Sequence, residues 1–292
     1  MIKRPFSMTL GLISLLMVPA LPIEVQAKPP ATNTLTAASP NFQQARNRKR
    51  LSWRVGARPS RFRVGGWSRS DKCLETASAT AFVPPPRPEE KVVKDYAPID
   101  KTLSGRPTLW FNLSRIPKNT TVQFTLQDAA GDKELYNTRF QFNGESGIVG
   151  VPLPSTVSEL KVGEKYLWQL GVKCSETSRP DEDIAIGSWI ERVTPDLIPS
   201  SADFNPRTIA RELATASEQD KPALYASMSV WQDAVTSLVG LMQKQPTSRE
   251  LKEDWNNLLR GGQVSEFANT PIFLLDKGQV SQIVSAPVIG TK

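Results

Sequence analysis

The densest group of side chains able to do acid–base or metal work is Asp181-Glu182-Asp183, with Asp196 downstream. Oxygen ligands of this kind suit a hard cation such as Ca²⁺. The run lacks the alternation and the glycine of a calcium loop and sits beside Pro180, so solvated charge and a weak cation site stay open as readings. A glycosidase would need two acids facing one cleft. The chain has 0 histidines in 292 residues. That count excludes Ser-His-Asp and Cys-His catalysis and every His-ligated metal centre. Its 2 cysteines are too few for a zinc ribbon or an iron–sulfur cluster. Gly65-Gly66 could make a backbone nest for an anion, or a tight turn. No Gly-rich nucleotide loop, serine elbow or kinase set is present. These residues imply no catalytic site, no cofactor and no metal, and hence a protein that is not an enzyme.

Charge supplies the other candidate site. Arg46, Arg48, Lys49, Arg50, Arg54, Arg58, Arg61, Arg63, Arg69 and Lys72 face a single acid, Asp71. The formal charge of the whole chain is +7, so the residues after Lys72 are net acidic. Trp53, Phe62 and Trp67 are interleaved with these cations. Such an arm can hold an anionic envelope polymer or lipid surface, with Arg46, Arg48, Lys49, Arg50, Arg54 and Arg58 as its contacts. It can equally be a solvated tether.

The first 27 residues read as a secretory signal. Lys3 and Arg4 lead, Met8–Leu21 is uncharged, and Val25-Gln26-Ala27 precedes the expected cut. The apolar run is short of the ~20 residues that span a bilayer. The expected location is therefore the periplasm, cell envelope or exterior, with no transmembrane segment after cleavage. Nucleic acid is a poor partner at that address; a protein partner or an anionic envelope surface fits. An oxidising address and an even cysteine count predict a Cys73–Cys174 disulfide.

The elements that must position these groups follow from periodicity. Residues 28–72 read as a disordered, basic arm. Six segments alternate with period 2: Thr108–Leu113, Thr121–Gln127, Leu135–Phe142, Ile148–Leu153, Lys165–Lys173 and Asp183–Val193. They predict an antiparallel, immunoglobulin-like β-sandwich over 73–195, with an up-and-down barrel as the alternative. Asn143-Gly144 signals a hairpin. Ala77–Val83 reads as a further edge strand, and a stiff Pro-rich spacer runs from Pro84 to about Pro98.

The rest reads as a small helical hairpin module over 204–262. Asn205-Pro206 caps a helix over 206–217, and Asp220 starts a longer one that runs to Pro246. Thr247 and Glu250 form a capping box for a third helix, which Gly261-Gly262 stops. Trp231 and Trp255 read as core, and the helices are expected to pack on the sandwich. Residues 263–292 form a tail in which Pro271–Leu275 could dock back as an edge.

With these segments in order, the chain resembles the cyanobacterial family called domain of unknown function 928. The matching pieces include Arg63-Val-Gly-Gly66 with Arg69 and Cys73, Thr80-Ala-Phe-Val-Pro84, Pro107-Thr-Leu-Trp-Phe111, Tyr166-Leu-Trp168, Cys174, Gly187-Ser-Trp-Ile-Glu-Arg-Val193 and Trp231-Gln-Asp-Ala234. The resemblance implies a cyanobacterial source and an exported location. It implies no activity, because the family has none assigned. Ser70 and Ser229 stand where glycine is usual, and Gln232 replaces an aromatic. The chain thus reads as an exported, non-enzymatic binding or interaction protein, with a carbohydrate-binding or carbohydrate-acting protein using acidic residues as the alternative.

Overall fold

The computed structural model describes residues 51, 64–65, 77–85, 99–118, 120–142, 146–173, 184–198, 200 and 204–285. Eleven strands and four α-helices lie in this part, so the class is β plus α. The strands are β1 (Val64–Gly65), β2 (Ser78–Ala81), β3 (Ile99–Thr102), β4 (Thr108–Ser114), β5 (Thr120–Asp128), β6 (Glu134–Phe142), β7 (Ser146–Pro152), β8 (Lys165–Lys173), β9 (Ile184–Arg192), β10 (Ile272–Asp276) and β11 (Gln279–Val284). The helices are α1 (Pro206–Thr215), α2 (Lys221–Ser227), α3 (Trp231–Lys244) and α4 (Arg249–Gly261). Among the described residues no helix is long and apolar enough to cross a membrane.

The strands form two sheets, ordered β1-β2-β4-β7-β10-β11 and β3-β9-β8-β5-β6. They meet through aromatic side chains. Phe111 of β4 lies 5.8 Å from Phe124 of β5 and 5.2 Å from Trp168 of β8, between ring centres. The second sheet alternates as its sequence does: Val122, Phe124 and Leu126 are buried, and their neighbours Gln123, Thr125 and Gln127 are half-buried. The central strands of the first sheet do not alternate. β4 and β7 are buried almost throughout, because each has a second cover on its other face. Over β4 that cover is α3. Trp110, next to Phe111, turns to the helix side and donates its indole N–H to Thr236 at 2.9 Å. Gly150, the register partner of Trp110, lets this ring lie flat on the sheet. A Cβ at Gly150 would sit 2.6 Å from the ring.

Several sequence expectations change here. First, the sheets are mixed rather than purely antiparallel. β10 runs parallel to β7, and β3 runs parallel to β9. Parallel neighbours need a long crossover, and the helices lie within the one that brings β10 back. Second, Asn143-Gly144 does not join a hairpin, because β6 pairs with β5 and β7 pairs with β4 and β10 in the other sheet. Residues 143–145 themselves lie outside the described residues, and a turn signal does not choose a strand's partner. Third, the Pro271–Leu275 segment is no edge. β10 sits between β7 and β11, and β11 takes the edge. Fourth, the segment read as one long helix from Asp220 is two.

The break falls at Ser229, whose φ is +60°. The Val230 N–H bonds the Tyr225 carbonyl and the Ser229 N–H bonds the Ala226 carbonyl. This is the Schellman pattern, with Ser229 at the left-handed position that glycine favours. Replacing Ser229 with Gly is expected to raise stability by roughly 0.5–1 kcal/mol, the left-handed penalty less the entropy glycine adds to the unfolded chain. A chemical denaturation midpoint that falls instead would overturn this account of the break. α4 ends in the same way, but its left-handed residue is Gln263 (φ +57°), not Gly261 or Gly262. Gly262 serves packing, since a Cβ there would lie 2.6 Å from the Trp231 ring. The α4 cap is Ser248, which accepts the Leu251 N–H, rather than Thr247.

The helices share the sheets' core. Phe82, just past β2, is 1% exposed. Its ring centre lies 5.8 Å from Trp231, 5.9 Å from Trp255 and 5.6 Å from Phe267. Leu51 belongs to this core too, and Val64–Gly65 pairs with β2, so the lead-in touches the fold at two points.

Candidate functional site

The sequence-based candidates do not meet in the described fold. Cys73, Cys174, Asp181, Glu182 and Asp183 lie outside the described residues, as do Arg46, Arg48, Lys49, Arg50, Arg54 and Arg58. So does the whole of the expected signal. Gly65 is in a strand pair with β2 rather than in a turn. Asp196 is exposed and pairs with Arg207 at the start of α1, at 2.5 Å.

A different set of polar residues converges where α3 meets the first sheet. Successive residues of its first turn are fastened in or next to three separate strands. The Trp231 indole N–H donates to the Phe82 carbonyl at 2.7 Å. The Gln232 side-chain carbonyl accepts the Trp110 N–H at 3.2 Å. Asp233 accepts the Leu103 N–H at 3.3 Å, just after β3. Thr236, one turn on, takes the Trp110 indole. The short motif Trp231-Gln-Asp is therefore a rivet between helix and sheets.

Beside the rivet is a cleft of about 250 Å³, bounded by residues 104–108 on one side and by α2 and α3 on the other. Its charged members are Arg106, Lys221, Glu218 and Asp233. Arg106 donates to the Val157 carbonyl at 2.8 Å and to Glu159 at 3.1 Å. Lys221 pairs with Glu218, which lowers the pKa of the acid and raises that of the amine. Asp233 is buried. Burial pushes its carboxyl up to about 6, against hydrogen bonds from Thr102, Leu103, Ser104 and its own backbone that favour the ionised form. Burial also raises the Tyr225 phenol, and the nearby Asp233 charge adds to the rise. An acid that titrates near 6 is what general acid–base chemistry uses, but here each of its bonds serves residues 102–104 or the start of α3.

Sequence reading missed this site because its parts are far apart in the chain: Leu103 and Asp233 are separated by 130 residues. A larger cleft of about 560 Å³ lies between Met242, Leu251, Trp255 and Ile283, and its rim runs to Ser285, where the described chain ends.

No curated protein matches the chain. Residues 64–272 match the family described as Domain of Unknown Function (DUF928), a span that opens on β1, takes in both β4 and the whole of α1–α4, and closes as β10 begins. Both walls of the cleft and the rivet beside it fall inside that span, and the chain belongs to the DUF928 family.

Proposed function

We propose that this chain is an exported, non-enzymatic envelope or periplasmic binding protein whose ligand enters the cleft beside Asp233. The observation that carries the reading is the bonding of Asp233. Its carboxylate is taken up by Thr102, Leu103 and Ser104, so it holds a wall of the cleft in place. A general acid or base must instead reach the proton it moves. The second reading, a carbohydrate-acting protein, is favoured by the near-neutral pKa of the same residue and by Glu218 in the same cleft. The two facing sheets support an immunoglobulin-like sandwich, and α3 with α4 support a helical hairpin against it.

Two features outside the described residues belong to the same proposal. Cys73 and Cys174 form a disulfide suited to an oxidising compartment. The arm of Arg46, Arg48, Lys49, Arg50, Arg54 and Arg58 adds a salt-sensitive hold on an anionic surface.

The test is a pull-down from envelope extract with the exported form of the chain. An envelope component should be retained, recovered chemically intact, and lost from a Ser237→Leu variant whose cleft is filled. Non-reducing peptide maps of the same preparation should show Cys73 linked to Cys174. Recovery of the component as fragments would favour the enzyme, and retention unaffected by Ser237→Leu would move the site elsewhere.

A further inference from the structure

The cleft has an unusual balance of groups. Its charges already have partners: Lys221 has Glu218, Asp233 has the N–H and hydroxyl donors of residues 102–104, and Arg106 shares Glu159 with Arg192. An ionic ligand would compete with these pairings. Its neutral polar groups are not matched. Gln232 is 3% exposed and only its carbonyl oxygen is engaged, which leaves its amide N–H groups without a partner among the described residues. The hydroxyls of Tyr225, Thr108 and Ser237 have none there either. These groups open onto the cleft, where a ligand that offers neutral donors and acceptors together can take the place of water. An apolar ligand would leave all of them unmet.

We infer that the cleft binds one uncharged, polyhydroxylated ring, a saccharide unit, through the Gln232 amide and the hydroxyls of Tyr225, Thr108 and Ser237. The inference rests on the binding reading above and names the ligand for it. Size agrees. About 250 Å³ lies below the roughly 300–1,000 Å³ of sites for drug-sized molecules. Tyr225, the sole aromatic among the lining residues, has the apolar ring on which the C–H face of a sugar can rest.

The Trp110 indole provides a local reporter, because its N–H donates to Thr236 in the cleft wall. In ¹H–¹⁵N spectra of the exported form, glucose, N-acetylglucosamine and their short neutral oligomers should move that indole resonance. Glucuronate and inorganic phosphate should leave it in place. Oligomers that bind more tightly than single sugars identify a glycan strand as the source; equal binding identifies free sugar. Tyr225→Phe removes one hydroxyl and keeps the ring. It should weaken binding roughly 3- to 10-fold and leave the thermal midpoint unchanged. Ser237→Leu should abolish binding. A response to glucuronate or phosphate alone overturns the uncharged ligand while leaving a binding protein. Silence towards every probe overturns the saccharide, and the envelope pull-down still decides the binding reading. Cleavage of the oligomers, lost in Asp233→Asn, would support the ligand and overturn the non-enzymatic reading.

Discussion

Replacing Phe82 with Ala is expected to cost about 3–5 kcal/mol of folding stability, the range for removing a large buried side chain. The upper part of that range applies because of what surrounds the ring. Trp231, Trp255 and Phe267 stand around it, from three separate helical elements. Rigid rings cannot close over the hole, and the cost grows with the cavity that persists. Trp231 is also tied to the Phe82 carbonyl and abutted by Gly262, so it cannot swing in. Urea denaturation followed by tryptophan fluorescence should show the lower midpoint. Phe82→Leu, which keeps much of the volume, should recover most of the loss. A drop below about 1 kcal/mol for the Ala variant would mean that the helices and sheets do not depend on this contact.

Stability should also fall as the pH rises from about 4 to about 6, and Asp233 should be the cause. Its carboxyl titrates near 3.8 in an unfolded chain and at about 6 in the fold. Between those values the folded chain holds a proton that the unfolded chain has released. Folding is then weakened by each rise in pH, and the effect is complete above 6. At 1.36 kcal/mol per pKa unit the total is about 3 kcal/mol. The groups facing Asp233 are Tyr225 and Lys221 from α2, Glu218 just before α2, and Arg106 from the opposite wall. Asp233→Asn keeps an acceptor for Leu103 and has no proton to lose. The difference in stability between the two proteins should therefore change by about 3 kcal/mol from pH 4 to pH 7, in favour of the Asn variant. Parallel curves would show that burial does not hold the proton.

What was legible in the sequence was local. β8 falls at Lys165–Lys173, as its alternation indicates, because one buried face and one wetter face leave a period of two. α1 begins at Asn205-Pro206, because a side-chain cap and a proline without an N–H both suit a first turn. The same rules misread the places where a distant element intervenes. β4 loses its alternation because α3 covers the face that would otherwise meet water. The helix at Asp220 breaks at a serine in the left-handed region, a position that no periodicity marks. The partners of β6, β7 and β10 depend on which sheet each strand joins, and a turn dipeptide carries no such information. The cleft belongs wholly to that second kind. In the sequence, Gln232 and Asp233 are two polar residues of a helix, next to the core Trp231. Only the packing of that turn against Trp110 and Leu103 turns one into an unmet donor and the other into a raised acid, because desolvation and hydrogen-bond matching are set by neighbours more than a hundred residues away.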